Sequence, residues 1–355
     1  MMAAREVAIV AFAQSPSVRR EWARDDVELL LPVIQDALSQ AGVRKEEIGF
    51  TASGSSDFVT GLPFSFVLAL DAVGACPAIE ETHVEMDGAW ALYEACVRLS
   101  LGDVDTALVY AFGRSSLGEP RDVLGMQLDP YYVAPLAPDA ISLAALQARA
   151  LLDSGRATER ALAEVAARSR RNARSNPNAQ LSGDMVPETL LEAPYFIAPL
   201  RRHDCPPISD GAVAMVLAVG DKARAASSRP AWIRGVDHRI EPHGLGMRDL
   251  TRSPSTALAA ANAGVAQGKV DVAELHAPFT HQELILREAL GLDGDVDINP
   301  SGGALAANPL MSAGLIRIGE AALRIMNGSA HRAVAHATSG PCLQQNLVCV
   351  LEADS

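Results

Sequence analysis

The sequence predicts a duplicated α/β domain, and three observations carry that prediction. Apolar strand-like runs alternate with amphipathic helical stretches, which implies a largely parallel sheet covered by helices. Two distant stretches share one plan: DGAWALYEACVRLSLGDVDTALVYAFG from Asp87, and SAGLIRIGEAALRIMNGSAHRAVAHATSG from Ser312. Each has a glycine turn, a helix, another glycine, and an apolar strand ending in glycine. The chain has 355 residues, 49% of them hydrophobic, enough for one large core or two fused halves. We divide it into residues 1–222 and 223–355, with an inserted region at about 114–200 inside the first half.

Taken in order, Glu6 to Phe12 reads as a buried strand. Val27, Leu30, Leu31, Ile34, Leu38 and Ala41 keep helical spacing, and Gly42 supplies a stop. IGFTASGSSD reads as a strand ending in a loop near a cleft. From Thr82 the chain predicts a strand, a sharp turn at Asp87-Gly88, a helix to about Leu101 and a buried strand from Thr106 to Phe112. After Arg114 the composition shifts to Pro and aromatics, then to two helical stretches, SLAALQARALLDSG and ERALAEVAARSRRNARS, which suits a cap or loop region. Strand character returns at residues 212–219. KARAASSRP reads as a crossover linker before AWIRGVDH, and the second half opens with a helix, STALAAANAGVAQG, and a strand, DVAELHAPF.

Composition excludes several functions. The net charge is −13, from 43 acidic and 30 basic residues, which argues against a general nucleic-acid binder. The five cysteines form no CxxC pair, so neither a disulfide framework nor a zinc site is expected. No run approaches the length of a membrane span, and MMAAREVAIVAFAQ lacks the apolar region of a signal peptide. The expectation is a soluble cytoplasmic protein with no resident metal and no permanently bound cofactor.

The most informative stretch, Asp297 to Gly314, reads DINPSGGALAANPLMSAG. Its glycines allow close backbone approach, and it runs into a helix whose N-terminal N–H groups favour negative charge. It resembles the NPSGG…GHPxGATG loop of thiolases, above all the sterol-carrier-type thiolases and the related lipid-transfer branch. Asn299, Pro300, Ser301, Gly302, Gly303 and Gly314 match, whereas Ala307-Asn308-Pro309 stands where the family has Gly-His-Pro. Three further segments carry the resemblance. Glu85-Met86-Asp87-Gly88 lies where thiolases have CSSG before a helix. Glu274-Leu275-His276-Ala277-Pro278-Phe279 is similar to HDCF, with Pro278 at the cysteine position. Asp204-Cys205-Pro206-Pro207-Ile208-Ser209-Asp210-Gly211-Ala212 is similar to DCxPxSDGAAA.

The resemblance implies the thiolase fold: α/β, with duplicated βαβαβαββ halves in a layered α-β-α-β-α arrangement. It also implies a coenzyme A thioester as substrate, with Ser301, Gly302 and Gly303 as coenzyme A contacts. His276 and Asn308 become donors for a developing oxyanion, and Glu85 and Asp87 are candidate bases, Asp87 being also a helix cap. The Arg168-Arg170-Arg171-Arg174 run is either a phosphate contact or a solvated helix face, and Asp129, Tyr131 and Tyr132 are candidates to line an acyl pocket. Both thiolase sulfurs and the Gly-His-Pro histidine are missing, so a covalent acyl-cysteine cycle is not expected.

The leading expectation is a retro-aldolase that cleaves a β-hydroxyacyl-CoA of sterol side-chain type. It would work as a homo- or heterodimer with a thiolase-like chain, with a small OB-fold and zinc-ribbon partner. Two alternatives stand beside it: a non-catalytic subunit supporting an active paralogue, and an atypical acetyl-CoA acyltransferase using Cys342 or Cys205.

Overall fold

The computed structural model describes residues 5–354. Ten strands form the main sheet: β1 (Val7–Gln14), β2 (Phe50–Gly54), β3 (Glu81–Val84), β4 (Thr106–Arg114), β5 (Asp210–Val219), β6 (Ala231–Ile240), β7 (Val272–Leu275), β8 (Asp297–Ile298), β9 (Arg332–Ser339) and β10 (Gln345–Glu352). Their spatial order is β8-β7-β9-β10-β6-β1-β5-β4-β2-β3. Each half therefore repeats one five-strand order, first-fifth-fourth-second-third, and with the same strand directions. Within the sheet the two five-strand sets pair through Ala8 with Trp232 and Ile9 with Ala231.

The expectation of a largely parallel sheet is corrected. Five strand pairings are antiparallel and four are parallel. The reason is the connection between β9 and β10. Residues 340–344 are too few for a crossover, which takes about a dozen residues, so β10 must return antiparallel. In the first half the matching connection, from β4 to β5, is the long inserted region.

The main helices are α1 (Asp26–Ala41), α2 (Ser65–Val73), α3 (Gly88–Leu101), α4 (Ala140–Asp153), α5 (Glu159–Asn172), α6 (Pro254–Ala263), α7 (Thr280–Ala289) and α8 (Ala313–Met326). Helix α1 starts at Asp25, which forms a capping box with Glu28, and stops at Gly42 in the left-handed region, φ 61°. Its Leu29, Leu30, Val33 and Ile34 pack with α2 on the outer face of the first five strands. Helices α6 and α7 cover the outer face of the second five. Between the sheets lie α3 and α8, whose Ala91, Leu92, Leu315 and Ile318 join both inner faces in one core. A helix apolar on nearly every side is a buried one, and these two form the central layer of an α-β-α-β-α stack. The KARAASSRP linker is also corrected: residues Gly220–Ala226 form a short helix. Among the described residues, no helix is long and apolar enough to cross a membrane.

Candidate active site

The duplicated plan brings the N-termini of α3 and α8 together, and Asp87 sits between them. It caps its own helix, accepting from Ala89 N–H at 2.9 Å. It also caps α8, accepting from Gly314 N–H at 2.8 Å and Leu315 N–H at 3.0 Å. Burial pushes its carboxyl up to about 6, while these three N–H groups and Arg317 oppose the rise. The helix N-terminus that the sequence offers to a ligand's negative charge is thus filled by the protein's own carboxylate. Asp87 is engaged as a double cap, the role the sequence offered beside that of a general base.

Glu85 is half-exposed and its oxygens serve the fold. One accepts from Asp57 N–H at 2.9 Å, and the other lies 3.5 Å from His83 Nε2. Asp57 in turn accepts from Phe64 and Ser65 N–H, so Glu85 latches the turn before α2 rather than standing free as a base.

His276 and Asn308 do come together. Strand β7 ends at Leu275, and His276 N–H donates to His336 O at 3.1 Å, which turns the ring inward. Its Nδ1 accepts from Thr338 N–H at 3.4 Å, and its Nε2 lies 3.0 Å from Asn308 Oδ1. Burial drives the imidazole down to about 3, with the Asn308 bond opposing, so the ring is neutral at physiological pH. Asn308 is held from its backbone as well: its N–H donates to Ser209 Oγ at 3.0 Å, and that hydroxyl donates to Gln180 Oε1 at 2.6 Å. The run after it is threaded tightly. Gly88 N–H donates to Met311 O at 2.8 Å, and a Cβ on Gly113 would lie 1.8 Å from Leu310 O. The pair therefore stands where the ends of β4, β5, β7 and β9 meet the N-termini of the central helices.

The glycine loop serves another purpose than the expected one. Ser301 N–H and Oγ–H both donate to Glu274, at 2.9 and 2.7 Å, and Arg317 bonds Glu274 at 2.9 Å and also Ser301 Oγ. Gly302, at φ 97°, packs so closely that a Cβ would lie 2.7 Å from the Cβ atoms of Ala173 and Ala306. Its carbonyl accepts from Ser169 Oγ–H at 2.5 Å, and Gly303 is closed off by the Asn299 side chain. Ser301, Gly302 and Gly303 are thus packing elements between α5 and the second sheet.

The basic run is engaged in the same way: Arg168 pairs with Glu283, Arg170 donates to Leu305 O, and Arg174 pairs with Asp184. Tyr131 and Tyr132 are 81% exposed and lie on the surface instead of lining a pocket. Cys205 and Cys342 are buried, and burial pushes their thiols up to about 12 and about 11, far from a reactive thiolate. Among the described residues, no three His, Cys, Asp or Glu side chains converge as metal ligands.

Sequence reasoning missed Ser209, Thr338 and Gln147. Ser209 was legible only as part of the DCxPxSDG segment, and Thr338 acts through its backbone. Gln147, fully buried, accepts from His281 and Gln282 and donates to the carbonyls of Leu250 and Cys342. It ties the inserted region to the loops on both sides of His276, and no motif marks it.

These features define an α/β protein of two fused, equivalent halves with one polar site at the meeting of its central helices. No family model matches the chain. It is 26% identical to the acetyl-CoA acetyltransferase of Methanothermobacter thermautotrophicus over 95% of either chain. It is also 26% identical to the 17-hydroxy-3-oxo-4-pregnene-20-carboxyl-CoA lyase of Mycobacterium tuberculosis, over 86% of this chain and 85% of that one. Among solved structures it matches the Ltp2-ChsH2(DUF35) aldolase with TM-score 0.81 at 19% identity, covering 98% of each chain. It matches human mitochondrial 3-ketoacyl-CoA thiolase with TM-score 0.77 at 17% identity, covering 99% of each. The fold is the thiolase fold, and the sequence is similar along most of its length to proteins named as acetyl-CoA acetyltransferases and as a CoA lyase.

Proposed function

We propose that this chain is a retro-aldolase of the thiolase superfamily that cleaves a β-hydroxyacyl-CoA thioester. The observation that carries the reading is the neutral His276–Asn308 pair in a site without a reactive thiol. Such a pair stabilises an oxyanion and offers no acyl carrier. In the proposed step the β-hydroxyl passes its proton to solvent water and its oxygen becomes a ketone or aldehyde carbonyl. The bond between the α and β carbons breaks, its electron pair enters the thioester as an enolate, and protonation at the α carbon releases a shortened acyl-CoA. Similarity to a named CoA lyase and to a named aldolase supports this reading.

A sterol-type side chain is the substrate class we favour, from the name of the lyase relative. We place the protein in the cytoplasm, in a homo- or heterodimer with a thiolase-like chain. A small OB-fold, zinc-ribbon partner is proposed as well; the name of the aldolase complex joins Ltp2 to ChsH2(DUF35).

A second reading is favoured by one observation. Asp87 closes the helix N-terminus, as it would in a subunit that only supports an active paralogue. Mass spectrometry of products from β-hydroxyacyl-CoA and β-ketoacyl-CoA panels, with and without candidate partners, separates the two. A carbonyl product plus shortened acyl-CoA establishes the lyase. Assembly without turnover establishes the supporting subunit.

A further inference from the structure

If the thioester reading above holds, the two polar groups of the site have different roles. Thr338 N–H donates to His276 Nδ1, so that nitrogen carries the lone pair and the neutral ring has its proton on Nε2. A donor at Nε2, 3.0 Å from the Asn308 amide, must meet the amide oxygen, because the flipped amide would set N–H against N–H. The amide nitrogen is thereby turned away from the ring. It makes no hydrogen bond to any described residue. Asn308 is only 5% exposed, yet its Nδ2 is not fully sealed from solvent. The backbone cannot swing to change this, since Ser209 Oγ accepts from Asn308 N–H and Ser115 Oγ from Leu310 N–H.

We propose that Asn308 is the catalytic residue whose Nδ2–H group holds the thioester oxygen as it becomes an enolate oxygen, and that His276 is a positioning residue acting through the Asn308 carbonyl. His276 then moves no proton during turnover. Its task is to choose which end of the amide faces the substrate, and a hydroxyl or amide of similar reach could do the same.

The first test needs no turnover. Heteronuclear NMR of the imidazole nitrogens of isotope-labelled histidine, assigned with His276→Gln, is expected to show His276 with its proton on Nε2 and no titration through the neutral range. A proton on Nδ1, or titration near neutrality, would overturn the assignment. The second test follows the carbonyl resonance of carbonyl-labelled acetyl-CoA. The resonance is expected to shift on binding the wild-type protein and not on binding Asn308→Ala. A shift unchanged in Asn308→Ala overturns this inference alone, whereas no binding to the wild type overturns the thioester reading beneath it. In turnover, Asn308→Ala is expected to lower kcat by about 10²–10³-fold, the usual loss of one oxyanion donor. His276→Gln, which can still donate to the Asn308 carbonyl, is expected to keep activity far above His276→Phe and with an unaltered pH profile. Equal losses in both, or a pH limb removed by the Gln variant, would make His276 a proton carrier and sink the proposal.

Discussion

Replacing Asp87 by Asn tests the double cap. The variant keeps an oxygen for two of the three backbone N–H groups but turns an amide N–H₂ toward the third. Losing that charge-assisted bond and leaving a buried N–H unmet costs about 2–3 kcal/mol. Against this, the wild-type carboxyl is expensive to ionise where it lies. Its pKa rises from 3.8 to about 6, so the ionised form is disfavoured by roughly 3 kcal/mol well above pH 6. The sign follows: the folded state holds this proton more tightly than the unfolded chain, so the Asp87 contribution to stability falls as pH rises through about 4 to 6 and is then constant. Asp87→Asn removes that pH-dependent cost. It should therefore be nearly neutral at about pH 8 and clearly destabilising, by about 1.4 kcal/mol more, at about pH 5. Guanidinium unfolding of wild type and variant at both pH values measures this, because other titrating groups cancel in the difference. A wild-type-minus-variant difference that is flat with pH, or that grows toward alkaline pH, would refute the reasoning.

Other consequences follow from the same geometry. His276, His281 and His336 are buried and driven down to about 3, about 3 and about 4, so the folded state binds their protons later than the unfolded chain does. Their stability is present above about pH 6.5 and lost on acidification, about 4 kcal/mol for the three between about pH 7.5 and 5.5, and a denaturation midpoint unchanged over that range would contradict it. Arg317→Met strands the buried Glu274 carboxylate beside Glu320 and should cost about 3–5 kcal/mol by denaturant titration; a near-wild-type midpoint would show that the ion pair does not hold the glycine loop. Gly302→Ala forces a Cβ into Ala173 and Ala306 at positive φ and should lower the melting temperature, whereas a coenzyme A contact would leave it unmoved and weaken thioester binding instead. A thiol reagent should label only the exposed Cys76 in the native protein, and rapid labelling of Cys342 would reopen the acyltransferase alternative.

Much of the fold was legible because the elements carry local signals. The helical spacing from Val27 and the stop at Gly42 mark α1, and the glycine turns before α3 and α8 repeat in both halves. Strand direction was not legible, since periodicity is the same for parallel and antiparallel strands, and only the short β9–β10 connection decides it. The site divides in the same way. The segment around His276 and Asn308 could be located from sequence, yet residues 32 positions apart meet only because β7 and the loop before α8 end at one point. The roles of Asp87 and Ser301 depend on partners in distant elements, Gly314 and Leu315 for one and Glu274 and Arg317 for the other. A carboxylate or a glycine loop at a helix N-terminus looks the same in sequence whether it meets a ligand or the protein itself.

The central claim is cleavage through an enolate held by Asn308 without an acyl-enzyme. The most direct measurement is the cleavage of a β-hydroxyacyl-CoA in deuterated water without added coenzyme A, followed by mass spectrometry of the shortened thioester and of the intact protein. The account predicts one solvent deuteron at the α carbon, an unmodified protein mass, and loss of the product in Asn308→Ala. A shortened thioester that forms only when free coenzyme A is supplied, or an acyl adduct on the protein, would contradict it and make the chain a thiolytic enzyme.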